Sequence, residues 1–524
     1  MNSVCQFQEG KGWAGARLLF ALCAGLIWLF SGSELGAEWP QFRGSGNRGV
    51  SSDKILLDWP QTGPAAKWKI PLQSGFSSLA ISQGKVFTLV RRTVEGESTE
   101  VCVGLDAATG RELWATPVGR AKYTSGGDDG ASDNRGGDGP RSTPSVLGDR
   151  VYVLNAYLGL YCLNRDSGQI EWQRDLIKDY GGSVVDWQSS ASPILDDSVL
   201  FINVSSSSLP LVALQASDGA EVWRAGRAED KTTHASPVVA TLFDVRQVIF
   251  FTRYGLVSIA AQTGKELWRY RFPYRTSSGA SPVICGTIVY CASGYSTGAG
   301  AVRITKSDDV FSASELWRKA NELENQWSTP VYHEGYVYGL YGHGEYGYAP
   351  LKCVDVATGE EMWSESGFGL GGILLVQENL LVLSERGELV LVKASPTGYQ
   401  ESARFKAITG KCWNAPAISQ GRIYARSTKE GICLETGVKT SSPLQLSTRM
   451  EGGVGICLEA KTIDGSPIEA DRAQSIEVYA SSNWNEGSWT RITNAWELMD
   501  GQLQLRESGA LSWPQRFYRT LENP

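Results

Sequence analysis

The sequence predicts an all-β protein, an eight-bladed β-propeller closed by an N-terminal strand, with a small C-terminal β module appended. Three observations carry this reading. A turn-to-tryptophan hairpin recurs along most of the chain. Between the hairpins, a segment opening on a small residue and proline runs into two β-runs. A spare tryptophan-bearing strand precedes the first unit, and the last unit lacks one.

The hairpin is clearest in GLDAATGRELW, Gly104 to Trp114. Asp106 can bond back to the turn backbone, and Gly110 accepts the positive φ such a turn needs. The indole buries a large ring and keeps one N–H donor for a partner. Copies end at Trp172, Trp223, Trp268 and Trp363; a copy with a longer turn ends at Trp317, and a weaker one ends on Phe405. Successive ends lie about 40 to 60 residues apart, the period of a four-stranded blade.

The front halves include STPSVLGDRVYVL from Ser142, ASPILDDSVLFIN from Ala191 and STPVYHEGYVYGL from Ser328. Alternating apolar and polar residues with turns between them predict half-buried strands. Proline sits at the first strand position, where a missing N–H is tolerated. Fronts fall near Ser78, Ser142, Ala191, Ala235, Ala280, Ser328, Gly372 and Ala415, which makes eight. The last runs to Cys433 without a closing Trp, so the strand around Trp68 is expected to complete it and remove the open sheet edges.

Three domains are expected: a signal peptide over residues 1–37, the propeller over 38–437, and the β module over 445–524. Lys11 and Arg17 precede the apolar run Leu18 to Phe30, with Ala37 at the cleavage point. Cleavage leaves no transmembrane span and places the protein outside the cytoplasm, in the periplasm or extracellular space. Glu38 to Val50 reads as an extended lead-in packing on the ring. The Ser-rich TSSPLQLSTRMEGG reads as a linker before the module.

A formal charge of −7 argues against nucleic acid as a partner. Cys102, Cys162, Cys353 and Cys433 recur at one place in the third strand, a packing position. No CxxC occurs, and the three histidines are His234, His333 and His343, too few for a histidine-rich metal centre. The loop Thr124 to Arg141 carries Asp128, Asp129 and Asp133, candidate calcium ligands by residue type. Their spacing fits no EF-hand, and a solvated inter-blade loop is the plainer reading.

The repeated Ala/Leu-Asp-x-x-Thr-Gly-x-x-x-Trp turn resembles the pyrroloquinoline-quinone-like (PQQ-like) repeat, over roughly Trp39 to Glu435. GDGPRSTPSV, GAGAVRIT and CWNAPAISQGRIYAR resemble a secreted bacterial group of planctomycete and verrucomicrobial type. The resemblance implies relatives of two kinds: quinoprotein dehydrogenases and a non-enzymatic propeller of the outer-membrane assembly machinery. The dehydrogenases hold the quinone between a Trp and an adjacent Cys–Cys disulfide, with calcium and a catalytic Asp. No adjacent Cys pair occurs in this chain.

The residues three before each proline position are expected at one mouth of the channel: Phe76, Arg141, Ser190, His234, Gly279, Trp327, Leu370 and Trp413. Phe76, Arg141, His234, Trp327 and Trp413 are the candidate ligand-binding set, by stacking and by carboxylate pairing. The competing reading is that the column plugs a tapering channel. Asp186 is the candidate base if the chain catalyses anything. Trp68, Trp114, Trp172, Trp223, Trp268, Trp317 and Trp363 are structural, each fastening one sheet to the next. Two functions are therefore expected: an exported non-enzymatic scaffold binding a protein, peptide or glycan partner in the cell envelope, or a PQQ- and calcium-dependent dehydrogenase of alcohols or sugars.

Overall fold

The computed structural model describes residues 4–8, 38–123, 139–342, 348–436, 444–451, 455–463, 467–468, 470–482, 489–492, 496–508 and 515–522. The chain forms two compact units, one spanning Ala37–Val438 and the other built from Lys439–Pro524 with Met1–Gly36.

The first unit is a ring of eight sheets. Their innermost strands are Ala80–Ser82, Ser145–Leu147, Ile194–Asp196, Val238–Leu242, Val283–Cys285, Val331–His333, Gly372–Val376 and Ala417–Ser419. Each follows one of the predicted fronts. Six sheets run outward in chain order as four-stranded antiparallel meanders, and a seventh does so with Val50–Ser51 of the lead-in added parallel to its Gly372–Val376 strand. The eighth takes its outermost strand from the start of the chain, with Ala65–Pro71 pairing Glu430–Glu435 and Trp68 opposite Cys433. The ring is therefore closed by a strand from its other end, which satisfies the edge a shorter chain would leave open.

Every tryptophan ending a blade faces a small residue across its own hairpin. Trp114 is opposite Gly104, Trp172 opposite Cys162, Trp223 opposite Ala213, Trp317 opposite Ala301 and Trp363 opposite Cys353. A β-carbon on Gly104 would lie 2.4 Å from the Trp114 ring. Cys162, Cys353 and Cys433 thus share one repeat position. Cys102 does not: it pairs with Thr116, two residues from Gly104. The expectation that all four coincide is corrected, because the first blade keeps glycine where its indole comes closest. All eight described cysteines are free and buried.

Each indole also reaches the next blade. Its N–H donates to a turn carbonyl there for Trp68 (Ala107, 3.0 Å), Trp114 (Arg165, 2.9 Å), Trp223 (Ala261, 2.8 Å), Trp317 (Val356, 2.9 Å) and Trp363 (Ser395, 2.8 Å). Trp268 departs from the pattern and donates to Gln247 within its own blade at 2.9 Å. The fifth blade explains this. It carries the long hairpin Gly298–Ser307 and Val310–Lys319 instead of the Asp-x-x-Thr-Gly turn, so no equivalent carbonyl is presented.

The residue before the inner-strand proline, or before Leu79 in the first blade, ties neighbouring inner strands together at four places. The Ser78 N–H donates to Thr143 Oγ1 (2.9 Å), Thr143 N–H to Ser192 Oγ (2.9 Å), Ser192 N–H to Ser236 Oγ (2.8 Å) and Ser281 N–H to Thr329 Oγ1 (2.9 Å). At the closing seam, the fully buried Arg426 donates to Thr88 Oγ1, Leu89 O and Gln73 O at 2.8 to 2.9 Å.

The lead-in does more than pack on the ring. It threads the channel and touches all eight blades, with Arg43 reaching the sixth and seventh before Asn47 reaches the fourth and fifth. Trp39 bridges Ile81 of the first, Pro40 O accepts from Val146 of the second, and Gln41 exchanges bonds with Leu195 of the third. Asn47 donates to Pro237 O and Ser281 Oγ of the fourth and fifth. Arg43 donates to Thr329 O (2.6 Å), Pro330 O (2.7 Å) and Ile373 O (3.3 Å) of the sixth and seventh. Asp53 accepts from Gly421 of the eighth.

In the second unit, two four-stranded sheets enclose one core that includes Leu446, Leu458, Val478, Leu505 and Tyr518. Leu444–Glu451 is a strand of this module, which corrects the reading of that stretch as linker. Leu444 and Leu446 are buried at two-residue spacing, and the intervening polar residues hid the alternation. Val4–Gln8 pairs with Gln515–Glu522, and the rest of the expected signal peptide lies outside the described residues. No described helix is long and apolar enough to cross a membrane.

Candidate functional site

Seven of the eight residues in the predicted column line one cavity of about 450 Å³ at the channel mouth. Leu370 is fully buried outside it, and its carbonyl accepts from Trp327 Nε1 at 3.3 Å. The column therefore walls a hollow mouth. The channel is filled instead from within by the lead-in, whose Phe42 and Arg43 form part of the cavity lining.

One arc of the wall is aromatic. Phe76 and Trp413 stack at 5.0 Å between centroids and 25° between planes, and Trp413 meets Trp327 at 4.8 Å. These rings come from the first, eighth and sixth blades. They converge because each precedes an inner strand. The Trp413 N–H donates to the buried Glu385 at 2.5 Å, and the Lys411 ammonium lies 4.5 Å from the Trp413 ring.

The other arc is polar. His234 Nε2 lies 2.8 Å from the Asp186 carbonyl, and Nδ1 lies 3.0 Å from Ser277 Oγ. A carbonyl can only accept, so Nε2 carries the proton and Nδ1 accepts from the serine hydroxyl. Burial, reinforced by the Arg141 charge, lowers the imidazole to about 4. The ring is thus neutral and oriented at neutral pH. Arg141 donates to the Trp187 carbonyl and lies 5.0 Å over the Tyr123 ring. Tyr123 in turn donates to the fully buried Glu100 at 2.6 Å. Burial raises that carboxyl to about 7, against the pull of Tyr123, the Ala156 N–H and Arg141.

Two lining aromatics sit on unusual backbone. Trp187 has φ 61° and Tyr295 has φ 58°, each followed by a second left-handed residue. Such positions cost on the order of 1–3 kcal/mol each and persist where surrounding structure imposes them. Burying a polar atom without a partner also costs. Asn414 is 5 % exposed, and among the described residues neither end of its amide has a partner; the same lack of a partner holds for the Ser78 and Ser328 hydroxyls. All three residues line the cavity.

Asp186 itself is exposed and does not line the cavity; its backbone carbonyl, and not its carboxylate, fixes His234. Asp128, Asp129 and Asp133 lie outside the described residues. Sequence reasoning missed Trp187, Tyr295, Ser277 and Asn414, together with the floor residues Phe42 and Arg43. Asn414 adjoins Trp413 and was within reach of the column argument. The others sit off the repeat, and no spacing signals them.

Residues 97–364, just over half the chain, match the family described as outer membrane protein assembly factor BamB. A protein of that description from Moranella endobia is 24% identical over 329 residues, spanning 60% of this chain and 66% of its own length. One from Yersinia pestis is 22% identical, spanning 64% of this chain and 69% of its own. The chain thus spans about two thirds of these relatives. Among solved structures, quinohemoprotein alcohol dehydrogenase from Comamonas testosteroni superposes with a TM-score of 0.54 at 13% identity, over 79% of this chain and 83% of the other. That likeness concerns the fold alone.

Proposed function

The chain belongs to the family described as outer membrane protein assembly factor BamB, and from that premise we propose that it is an exported, non-enzymatic propeller scaffold whose channel mouth holds a partner in the cell envelope. The observation that carries this reading is the hollow mouth: an aromatic arc and a polar arc face one cavity, on a floor supplied by the lead-in. Partner classes consistent with that lining are a protein, a peptide or a glycan. The expected signal peptide supports export to the periplasm or extracellular space.

The residues at the mouth do not fit the quinone-and-calcium alternative. Among the described lining residues none is a carboxylate, and no three described His, Cys, Asp or Glu side chains gather as a metal-ligand group. Calcium prefers several oxygen ligands, commonly carboxylates. No adjacent cysteine pair occurs to floor a quinone.

The test is retention of material from a cell-envelope extract by the immobilised full chain, compared with Trp327→Ala. Loss of capture in the variant, with an unchanged melting temperature, supports the mouth as the holding site. Equal capture by both proteins removes it. A melting-temperature rise on adding quinone and calcium would restore the dehydrogenase reading.

A further inference from the structure

We propose that the mouth binds a neutral sugar ring, the uncharged pyranose end of a glycan. This rests on the scaffold reading and names what its site would take. Each ring of the aromatic arc has an unsatisfied polar neighbour beside it in the chain. Phe76 is two residues from Ser78, Trp327 adjoins Ser328, and Trp413 adjoins Asn414. The three rings form one cluster, with centroids 5.0 and 4.8 Å apart. Among the described residues the two hydroxyls and both ends of the amide lack partners, although Ser78, Ser328 and Asn414 are buried. All six residues line the cavity.

An apolar ring beside an unpaired hydroxyl or amide, three times over, calls for a ligand that is itself amphipathic. A pyranose has an apolar C–H face that packs on aromatic rings. Its rim carries hydroxyls that each donate and accept, and serine hydroxyls and an amide answer both roles. Buried polar groups left unpaired are costly, so the ligand that pairs all three sites is the one the mouth selects. A flat aromatic compound would use the rings and leave those groups unpaired. A peptide strand presents one donor and one acceptor per residue, with side chains turned to alternate faces. Within a cavity of about 450 Å³ it answers fewer of them. That volume lies in the range of small-ligand sites. The left-handed backbone at Trp187 and Tyr295 fits a preorganised clamp, where such strain concentrates.

The charges decide for an uncharged ligand. Arg43 gives its terminal N–H groups to the carbonyls of Arg48, Thr329, Pro330 and Ile373. Arg141 donates to the Trp187 carbonyl, and its charge acts on the buried Glu100. Both guanidiniums are engaged within the protein, and no described lining residue is a carboxylate. A charged group entering the mouth would lose its water without gaining an ion-pair partner, which is costly.

The experiment is a titration of the purified full chain, read by tryptophan fluorescence and by melting temperature. The probes are glucose, galactose and N-acetylglucosamine, with glucuronate, galacturonate and the capped tripeptide acetyl-trialanine amide as comparisons. At least one neutral sugar should give a saturable change and raise the melting temperature. The two uronates should bind at least tenfold more weakly than the best neutral sugar, and the tripeptide should give no saturable change. Ser328→Ala and Asn414→Ala remove groups that lack partners, so the sugar-free melting temperature should not fall, while sugar affinity should drop about tenfold. A merely structural role would do the reverse, lowering the melting temperature and sparing affinity.

A uronate that binds as tightly as its neutral parent would overturn the proposal, as would unchanged sugar affinity in both variants. Binding of the tripeptide without any sugar response would overturn it in favour of a peptide. No saturable response to any neutral sugar at about 50 mM, with Trp327→Ala still losing envelope capture, would overturn the sugar assignment alone. No sugar response with capture unchanged in Trp327→Ala would remove both the sugar and the holding site.

Discussion

Gly359 of the sixth blade lies directly beneath the indole of Trp317 in the fifth: a β-carbon placed there would come within 2.7 Å of the ring. The same relation joins Gly110 to Trp68, Gly168 to Trp114, Gly219 to Trp172 and Gly264 to Trp223. The turn glycine therefore answers two demands. It takes a left-handed backbone, φ 75° at Gly359, and it clears the ring that fastens the previous blade.

These two demands can be separated. Gly148 is also left-handed, at φ 59°, but a β-carbon there meets nothing within 4 Å. Gly148→Ala should cost about 1 kcal/mol, from backbone strain alone. Gly359→Ala should cost roughly 2–4 kcal/mol, since the ring must also shift. Chemical denaturation of both variants measures the difference. Equal costs would mean that the indole contact adds nothing.

The Trp172 N–H has no protein partner among the described residues, whereas that of Trp223 donates to Ala261 O at 2.8 Å. Trp223→Phe should therefore destabilise more than Trp172→Phe, by about 1 kcal/mol. Thermal melts of the two variants provide the check. The reverse order would contradict the role assigned to the inter-blade bond.

Arg426 is fully buried, and its guanidinium holds groups on the far side of the closing seam. Arg426→Met keeps much of the volume and leaves Leu89 O and Gln73 O without that donor. A loss of about 3–5 kcal/mol is expected. Urea unfolding should show a lower midpoint, and limited proteolysis should cut first near the seam. An unchanged midpoint would show that the strand around Trp68 closes the ring unaided.

Glu100 and His234 impose opposite pH dependences. Burial raises the Glu100 carboxyl to about 7, so between the unfolded value near 4.3 and 7 the folded state holds the extra proton. Stability from this group is present at low pH and falls as pH rises through that window. Burial lowers the His234 imidazole to about 4, so between 4 and the unfolded value near 6.5 the unfolded state binds more protons. Its contribution rises with pH over that range. Glu100→Gln should steepen the rise in stability between pH 4.5 and 6.5, and His234→Gln should flatten or reverse it. Melting temperatures across that range test both signs.

The sequence by itself determined the number of blades, the closure between Trp68 and Cys433, and the column that walls the mouth. All three follow from a repeated hairpin of fixed spacing, in which local turn chemistry and two-residue alternation are written into each copy. Even the departure at Trp268 is legible afterwards, since the next copy lacks the usual turn.

Only the tertiary structure decided that the mouth is hollow and that Trp39 to Asp53 fills the channel beneath it. Those residues follow no period. Arg43, Asn47 and Gln41 find their acceptors 286, 190 and 154 residues away, on carbonyls that come together only once the ring has closed. The same holds for Trp187 and Asn414, whose place at the site depends on how the blades converge and not on any pattern in the chain.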